Sequence, residues 1–154
     1  MQNIRQVIYI STAVNDLTRG EVSRLADESA SNNALNEITG ALLCIDNCFI
    51  QVIEGNKRSI SELLIKLSRD WRHSDIRIIS DHLQDSRHFN NWSMGLITVP
   101  DEDRPQLAKE IHSLSNFDEA KVAATNDSII LMPHTMAMMK RLYETDLILQ
   151  NARC

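Results

Sequence analysis

The chain has no basic run. Its 16 lysines and arginines stand against 21 aspartates and glutamates in 154 residues, a formal net charge of −5, so nonspecific nucleic-acid binding through phosphate neutralisation has no support. Cysteine is scarce. Cys44, Cys48 and Cys154 are an odd set, and a Cys-x-x-x-Cys spacing with no matching second pair argues against a four-ligand zinc site. Reduced thiols in a cytoplasmic protein fit instead. Long apolar runs are missing too: Met1-Gln2-Asn3-Ile4-Arg5 leads straight into a strand-like segment, so neither a signal peptide nor a membrane span is expected. There is no internal repeat, no low-complexity tract and no nicotinamide-binding glycine pattern. What is present, at 43% hydrophobic residues, is enough apolar material for one globular domain with or without a helical extension.

Periodicity divides that material into elements. Gln6 to Ser11 alternates as a strand, with Val7 and Tyr9 on one face and Ile8 and Ile10 on the other. Thr18-Arg19-Gly20-Glu21 has capping-box spacing and opens a helix in which Val22, Leu25, Ala26 and Ser29 continue one face up to Asn32-Asn33. Ala41 to Ile45 and Cys48 to Ile53 are apolar runs joined by Asp46-Asn47, two residues that tolerate the positive φ of a tight hairpin. Asn56 can cap a second helix carrying Ile60, Leu63, Leu64 and Leu67. Ile76 to Leu83 reads as a fourth strand and Trp92 to Val99 as a fifth, with Trp92 and Met94 on one face. After Pro100 the spacing predicts two amphipathic helices, one with Leu107, Ile111 and Leu114, the other with Met136, Met139, Tyr143 and Leu147.

This order predicts an α+β fold: a ferredoxin-like βαββαββ core with a mixed five-stranded sheet, in which the first and third strands lie side by side. Tyr9 and Gln51 then become neighbours. The opposite face, with Ile8, Ile10, Ile50 and Val52, needs cover, which the two C-terminal helices are expected to supply as a cap. The expected division is a core over 1–100 and a cap or output segment over 101–154.

Uncharged amides at Asn32, Asn33 and Gln51 fall where apolar residues are expected. A buried amide costs free energy unless donor and acceptor are both matched, so these positions call for a ligand with a complementary polar edge, such as a flavin ring. His73, His82 and His88 have no converging carboxylate or cysteine at ligand spacing, and no metal is expected. No acid, base or nucleophile set converges either, and no enzyme activity is expected. Met132, Met136, Met138 and Met139 read as adaptable packing before they read as a partner groove.

The quoted segments together resemble the BLUF family of blue-light receptors that use flavin, over about residues 4 to 99. The resemblance rests on Tyr9 in Val7-Ile8-Tyr9-Ile10-Ser11, on Asn32-Asn33 before Ile38-Thr39-Gly40, and on Phe49-Ile50-Gln51-Val52-Ile53-Glu54-Gly55. It also rests on Asp70-Trp71-Arg72-His73 and on Arg87-x-Phe89-x-x-Trp92-Ser93-Met94-Gly95. Glu37 departs from the pattern, which leads one to expect a small or neutral residue there.

The resemblance implies a noncovalent flavin, FAD or FMN, between the two helices. Asn33 would read the carbonyl and imide edge with Asn32 assisting, and Gln51 would sit between the flavin and Tyr9. Lys66, Asp70 and Arg72 would lie near the ribityl and phosphate portion, with His73 a further contact in the same motif. Blue light would move an electron and a proton from Tyr9 to the flavin and back, leaving Gln51 rearranged and the absorption shifted to the red. Trp92 or Met94, whichever lies inward, would pass the change toward the C-terminal helices. The expected output is to a separate effector protein, from a homo-oligomer that touches neither nucleic acid nor membrane. The competing expectation is a cofactor-free ferredoxin-like interaction subunit in which Tyr9 and Gln51 satisfy each other.

Overall fold

Strand pairing brings together residues far apart in the chain, and β1 (Ile4–Ala13) is one of its inner strands. In the computed structural model, which describes residues 3–115, 136–137 and 139–145, β1 pairs antiparallel with β3 (Cys48–Gly55) on one side and with β4 (His73–Gln84) on the other. β2 (Thr39–Ile45) pairs antiparallel with β3, and β5 (Gly95–Leu96) runs parallel to β2. The sheet order is therefore β4-β1-β3-β2-β5, a mixed five-stranded ferredoxin-like sheet. The hairpin between β2 and β3 turns at Asp46 and Asn47, whose φ values of 49° and 62° are the left-handed pair that such a turn requires.

Both helices begin as their caps dictate. α1 (Arg19–Leu35) starts with Thr18 and Glu21 in a reciprocal capping box, and the Asn56 side chain accepts from the Ser59 amide at the start of α2 (Lys57–Ser68). α1 runs through Asn32-Asn33, and Glu37 follows in the left-handed region at φ 53°. That conformation favours glycine or asparagine after a helix, which is why a small residue is the expectation at this position. Val22 and Ala26 of α1 and Ile60 of α2 pack with Val7, Tyr9, Phe49 and Ile53 into one core. On the other face of the sheet Ile8, Ile10, Ile50 and Val52 are also buried.

The fifth strand is shorter than the apolar run suggests. Only Gly95 and Leu96 pair with β2, while Trp92, Ser93 and Met94 lie in a bend before it. Alternation therefore does not govern Trp92 and Met94, and the two side chains part company. A methyl group on Gly95 would meet the Trp92 ring at 1.7 Å, so the indole lies on that glycine. Met94 is buried and joins the helix-facing core. Gly40 is equally constrained, because a Cβ there would come within 2.0 Å of the Val52 carbonyl.

The segment that carries Met94 is fastened by a carboxylate the sequence pattern hides. Glu54, with 0% exposure, accepts from Gln6 Nε2 at 2.7 Å, from Gln84 Nε2 at 2.9 Å and from the backbone amides of His88 and Phe89 at 3.0 Å. Arg87 then bridges the Glu54 and Glu37 carbonyls and the Thr39 hydroxyl.

Contacts divide the chain into two compact units, Met1–Leu96 and Ile97–Cys154. The second contains α3 (Arg104–Ser115) and helical residues at 136–137 and 139–145. Leu107, Ile111, Met139, Leu142 and Tyr143 are buried. Met132, Met138 and Leu147 fall outside the described residues. Among the described residues no helix is long and apolar enough to cross a membrane.

Replacing Glu54 with alanine leaves two backbone amides and two carboxamides without their acceptor. Glu54→Ala should lower stability by about 3 kcal/mol or more, since each buried donor left unmatched costs roughly 1–3 kcal/mol. The check is a urea titration, in which the midpoint should fall at an unchanged slope. A midpoint within error of the parent would refute the role given to the carboxylate.

Candidate functional site

The register of β1 and β3 sets Tyr9 directly opposite Gln51, and both side chains face α1 and α2. There they line a cavity of about 210 Å³ together with Asn32, Asn33, Lys66, Asp70, Arg72 and Met94. A second cavity of about 430 Å³ adjoins it, and Ser29, Gln51, Leu67, Asp70 and Arg72 border both. His73 borders the larger one. Of the residues expected from the sequence to hold the flavin or form its switch, Trp92 alone lines neither.

The polar groups in this space differ in how far the protein already employs them. The Asn33 side chain, 3% exposed, donates Nδ2 to the Ser93 carbonyl at 2.8 Å, which leaves its Oδ1 to accept. The neighbouring Gly40 amide donates to the Trp92 carbonyl at 2.9 Å. The bend before β5 is thus tied once to the end of α1 and once to β2. Among the described residues neither the Tyr9 hydroxyl nor the Gln51 carboxamide makes a side-chain hydrogen bond, although Tyr9 is 1% and Gln51 6% exposed. Two buried polar side chains that border a cavity and find no match in the protein fit a flavin ring, which offers donors and acceptors along one edge.

Charge enters from one side. Arg72 holds Asp70 through Nε and Nη2, at 3.0 and 2.7 Å, and reaches Glu28 through Nη1 at 2.7 Å. The Arg72 hydrogen bonds hold the Asp70 carboxyl below its ordinary range, and Asp70 in turn raises the guanidinium. Arg72 is therefore already paired, and Lys66, exposed at the rim, is the less committed cation. His73, whose Nδ1 lies 2.9 Å from the Ser11 hydroxyl, is pushed below its ordinary value by burial, with Asp70 opposing. Burial also raises the Tyr9 hydroxyl well above its ordinary value, and the Asp70 charge adds to that. The phenol stays protonated, so any electron it gives up is given with its proton at hand.

Glu54, Arg87 and Ser93 are the site's supporting residues that pattern reasoning missed. Gln6 and Glu54 share a sheet face with Ile8, Ile10, Ile50 and Val52, and two polar residues on an otherwise apolar face were the available signal. Ser93 acts through its backbone carbonyl and carries no such signal.

This fold and donor set define an α+β domain whose sheet and helices border a cavity with the polar side chains of Tyr9 and Gln51 unmatched at its wall. The chain belongs to the BLUF family, described as sensors of blue-light using FAD, whose family model matches residues 4–95. Photoactivated adenylate cyclase subunit beta of Euglena gracilis is 30% identical over 138 residues, an alignment covering 81% of this chain and 16% of that protein. Among solved structures, BlrB, a BLUF protein in its dark state, superposes with a TM-score of 0.62 at 25% identity, covering 86% of this chain and 98% of that one. A bacterial light-regulated adenylyl cyclase gives a TM-score of 0.64 at 27% identity, covering 72% of this chain and 35% of that one. Klebsiella pneumoniae BlrP1 with FMN and cyclic diGMP gives 0.60 at 25%, covering 76% and 32%. The chain spans about one sixth of the first relative's length and about a third of the two multidomain structures. As a BLUF domain it is a flavin-binding blue-light sensor.

The raised Tyr9 value carries a pH dependence. A folded-state value above the unfolded one adds stability that is fully present below about pH 10, the ordinary tyrosine value, and is lost as pH rises through the folded value. Urea midpoints measured from neutral pH into the alkaline range should decline above about pH 10. The decline should be shallower in Tyr9→Phe. Identical alkaline slopes would show that the Tyr9 hydroxyl is not held protonated by the fold.

Proposed function

We propose that this protein is a blue-light photoreceptor whose switch is the Tyr9–Gln51 pair acting on a noncovalently held flavin, and whose output passes to a separate effector protein. The observation that carries this reading is the pairing of Tyr9 with Gln51 across β1 and β3, at the wall of the helix-facing cavity, with neither side chain hydrogen-bonded to the other or to any described residue. In a cofactor-free interaction subunit the two would be expected to satisfy each other. Their common orientation toward the cavity instead favours a shared ligand.

The roles follow from the chemistry of the side chains. When bound, the flavin supplies absorption of blue light and an acceptor for an electron and a proton. Tyr9 provides both from one group, its phenol being neutral and shielded from water. The Gln51 carboxamide donates at one end and accepts at the other, so rotation or tautomerisation exchanges its hydrogen bonds without moving the strand. Asn33 reads the imide edge through Oδ1 while Nδ2 keeps the Ser93 carbonyl, and Asn32 assists at the exposed rim. Lys66 serves the phosphate, with Asp70, Arg72 and His73 shaping the wall beside the ribityl chain.

Of the two candidate transmitters, Met94 is the one that borders the cavity, and Trp92 follows it through the bend packed on Gly95. A change at Gln51 then reaches the 92–96 bend by the Met94 contact and by the Asn33–Ser93 hydrogen bond. From there the chain continues into α3, the segment taken as the output surface. Relatives named as photoactivated adenylate cyclases support coupling of such a module to an effector.

Tyr9→Phe and Gln51→Ala should retain flavin and lose the reversible red shift that blue light produces in the parent. Absorption spectra in the dark and under illumination provide the check. Hydrogen exchange should change reversibly with light over residues 92–115 in the parent and not in Gln51→Ala. A normal red shift in either variant refutes the switch, and unchanged exchange over 92–115 in the parent refutes the route.

A further inference from the structure

The segment leading to Ser93 and Met94 is fastened by a cluster in which one group can change its charge. His88, with its side chain 36% exposed, meets the buried Gln6–Glu54 pair on the sheet face away from Tyr9 and Gln51. Its Nδ1 lies 2.9 Å from Gln6 Nε2 and 3.4 Å from Glu54 Oε1. A single ring nitrogen thus stands between a group that only donates and a carboxylate that only accepts.

Glu54 fixes which way the Gln6 carboxamide points. Gln6 Nε2 donates to Glu54 Oε1 at 2.7 Å, and turning the carboxamide over would set its oxygen against the carboxylate. Nδ1 of the neutral His88 ring therefore accepts the second Nε2 hydrogen of Gln6, and the ring proton sits on Nε2. A further proton changes the partner. Nδ1 then carries a hydrogen that opposes Gln6 and suits Glu54, so the Gln6–His88 bond gives way to a charge-assisted His88–Glu54 bond. Glu54 already holds the His88 and Phe89 amides, and the new bond draws the same segment to the same carboxylate.

Within the unit Met1–Leu96 the surrounding groups are these. β1 supplies neutral Gln6 and β3 supplies Glu54, while β4 supplies neutral Gln84 and, opposite Gln6, His82, whose Nδ1 lies 3.1 Å from the Ser80 hydroxyl. The segment itself adds exposed Asp85, and Arg87, whose guanidinium is directed to Thr39 and to the Glu54 and Glu37 carbonyls.

We infer that His88 is a proton-operated positioning residue, whose protonation exchanges Gln6 for Glu54, tightens the segment that leads to Ser93 and Met94, and shortens the life of the light-adapted state. The inference goes beyond the Tyr9–Gln51 switch and rests on it for the lifetime alone. Glu54 holds the arrangement in which Met94 borders the cavity, so tightening favours return to that arrangement.

The test has two arms, both on the full-length protein. Imidazole nitrogen NMR in the dark should show His88 protonated on Nε2 alone at about pH 8, and the Ser93 and Met94 amide signals should follow its titration toward about pH 5. In the second arm, the red shift left by blue light should decay about fivefold faster at about pH 5 than at about pH 8. His88→Gln, which can hydrogen-bond but not titrate, should flatten that difference, and His82→Gln should keep it. A neutral ring protonated on Nδ1, or Ser93 and Met94 signals that do not follow His88, overturns the inference. So does the same pH dependence of decay in the parent and in His88→Gln. A flavin-loaded parent with no red shift overturns the switch reading and the lifetime claim with it, whereas the NMR arm still decides the exchange of Gln6 for Glu54.

Discussion

The antiparallel register of β1 against β3 is the constraint on which the site depends. Side chains alternate strictly along a strand, so a slip of one residue would move Tyr9 or Gln51 from the helix-facing side to the other. The register is held from both faces. Val7, Phe49 and Ile53 bury against α1 and α2, while Gln6 and Glu54 meet directly through a buried hydrogen bond on the opposite side. An apolar pattern alone would tolerate exchange of one β-branched residue for another. The Gln6–Glu54 pair does not, because a slip would leave a carboxylate buried without donors.

Glu54 links that register to the bend that carries Met94. Its oxygens hold the amides of His88 and Phe89, and Arg87 draws the same segment onto the Glu37 and Glu54 carbonyls. The bend is then tied forward, through Trp92 and Ser93, to Gly40 and Asn33. The cavity is thereby enclosed by elements joined through directed bonds. Such a frame can move between discrete arrangements when one hydrogen bond changes, because packed elements shift between states instead of deforming continuously.

The electrostatics of the cleft divide the labour in a way residue identity does not show. Asp70, Arg72 and Glu28 form an exposed chain of ion pairs whose main effect is local order, since surface pairs contribute little to stability. Pairing also leaves Arg72 less free to take a further anion than Lys66, which lies exposed at the rim of the smaller cavity. Burial, with the Asp70 charge adding to it, raises the Tyr9 hydroxyl above its ordinary value, so the phenol keeps its proton further into the alkaline range.

Local sequence determined the helices, the hairpin and the order of the core strands, because capping boxes, apolar periods and a left-handed Asp-Asn turn act over a few residues. It also marked Asn33 and Gln51 as polar positions needing a match, since an amide where apolar residues are expected is a local anomaly, whereas Tyr9 stood out only beside Gln51 and through the family resemblance. The fifth strand misled for the same reason. Trp92 to Val99 has strand composition, but pairing extends only through Gly95 and Leu96, where β2 offers an edge and Trp92 folds back over Gly95. Only the tertiary structure decided that Met94 faces the cavity and Trp92 does not, that Arg72 is consumed by two carboxylates, and that Glu54 fastens the bend. Most of these depend on contacts between segments tens of residues apart, such as Arg72 with Glu28 and Glu54 with His88 and Phe89, and such contacts are set by strand register and bend geometry, which leave no periodic trace in the chain.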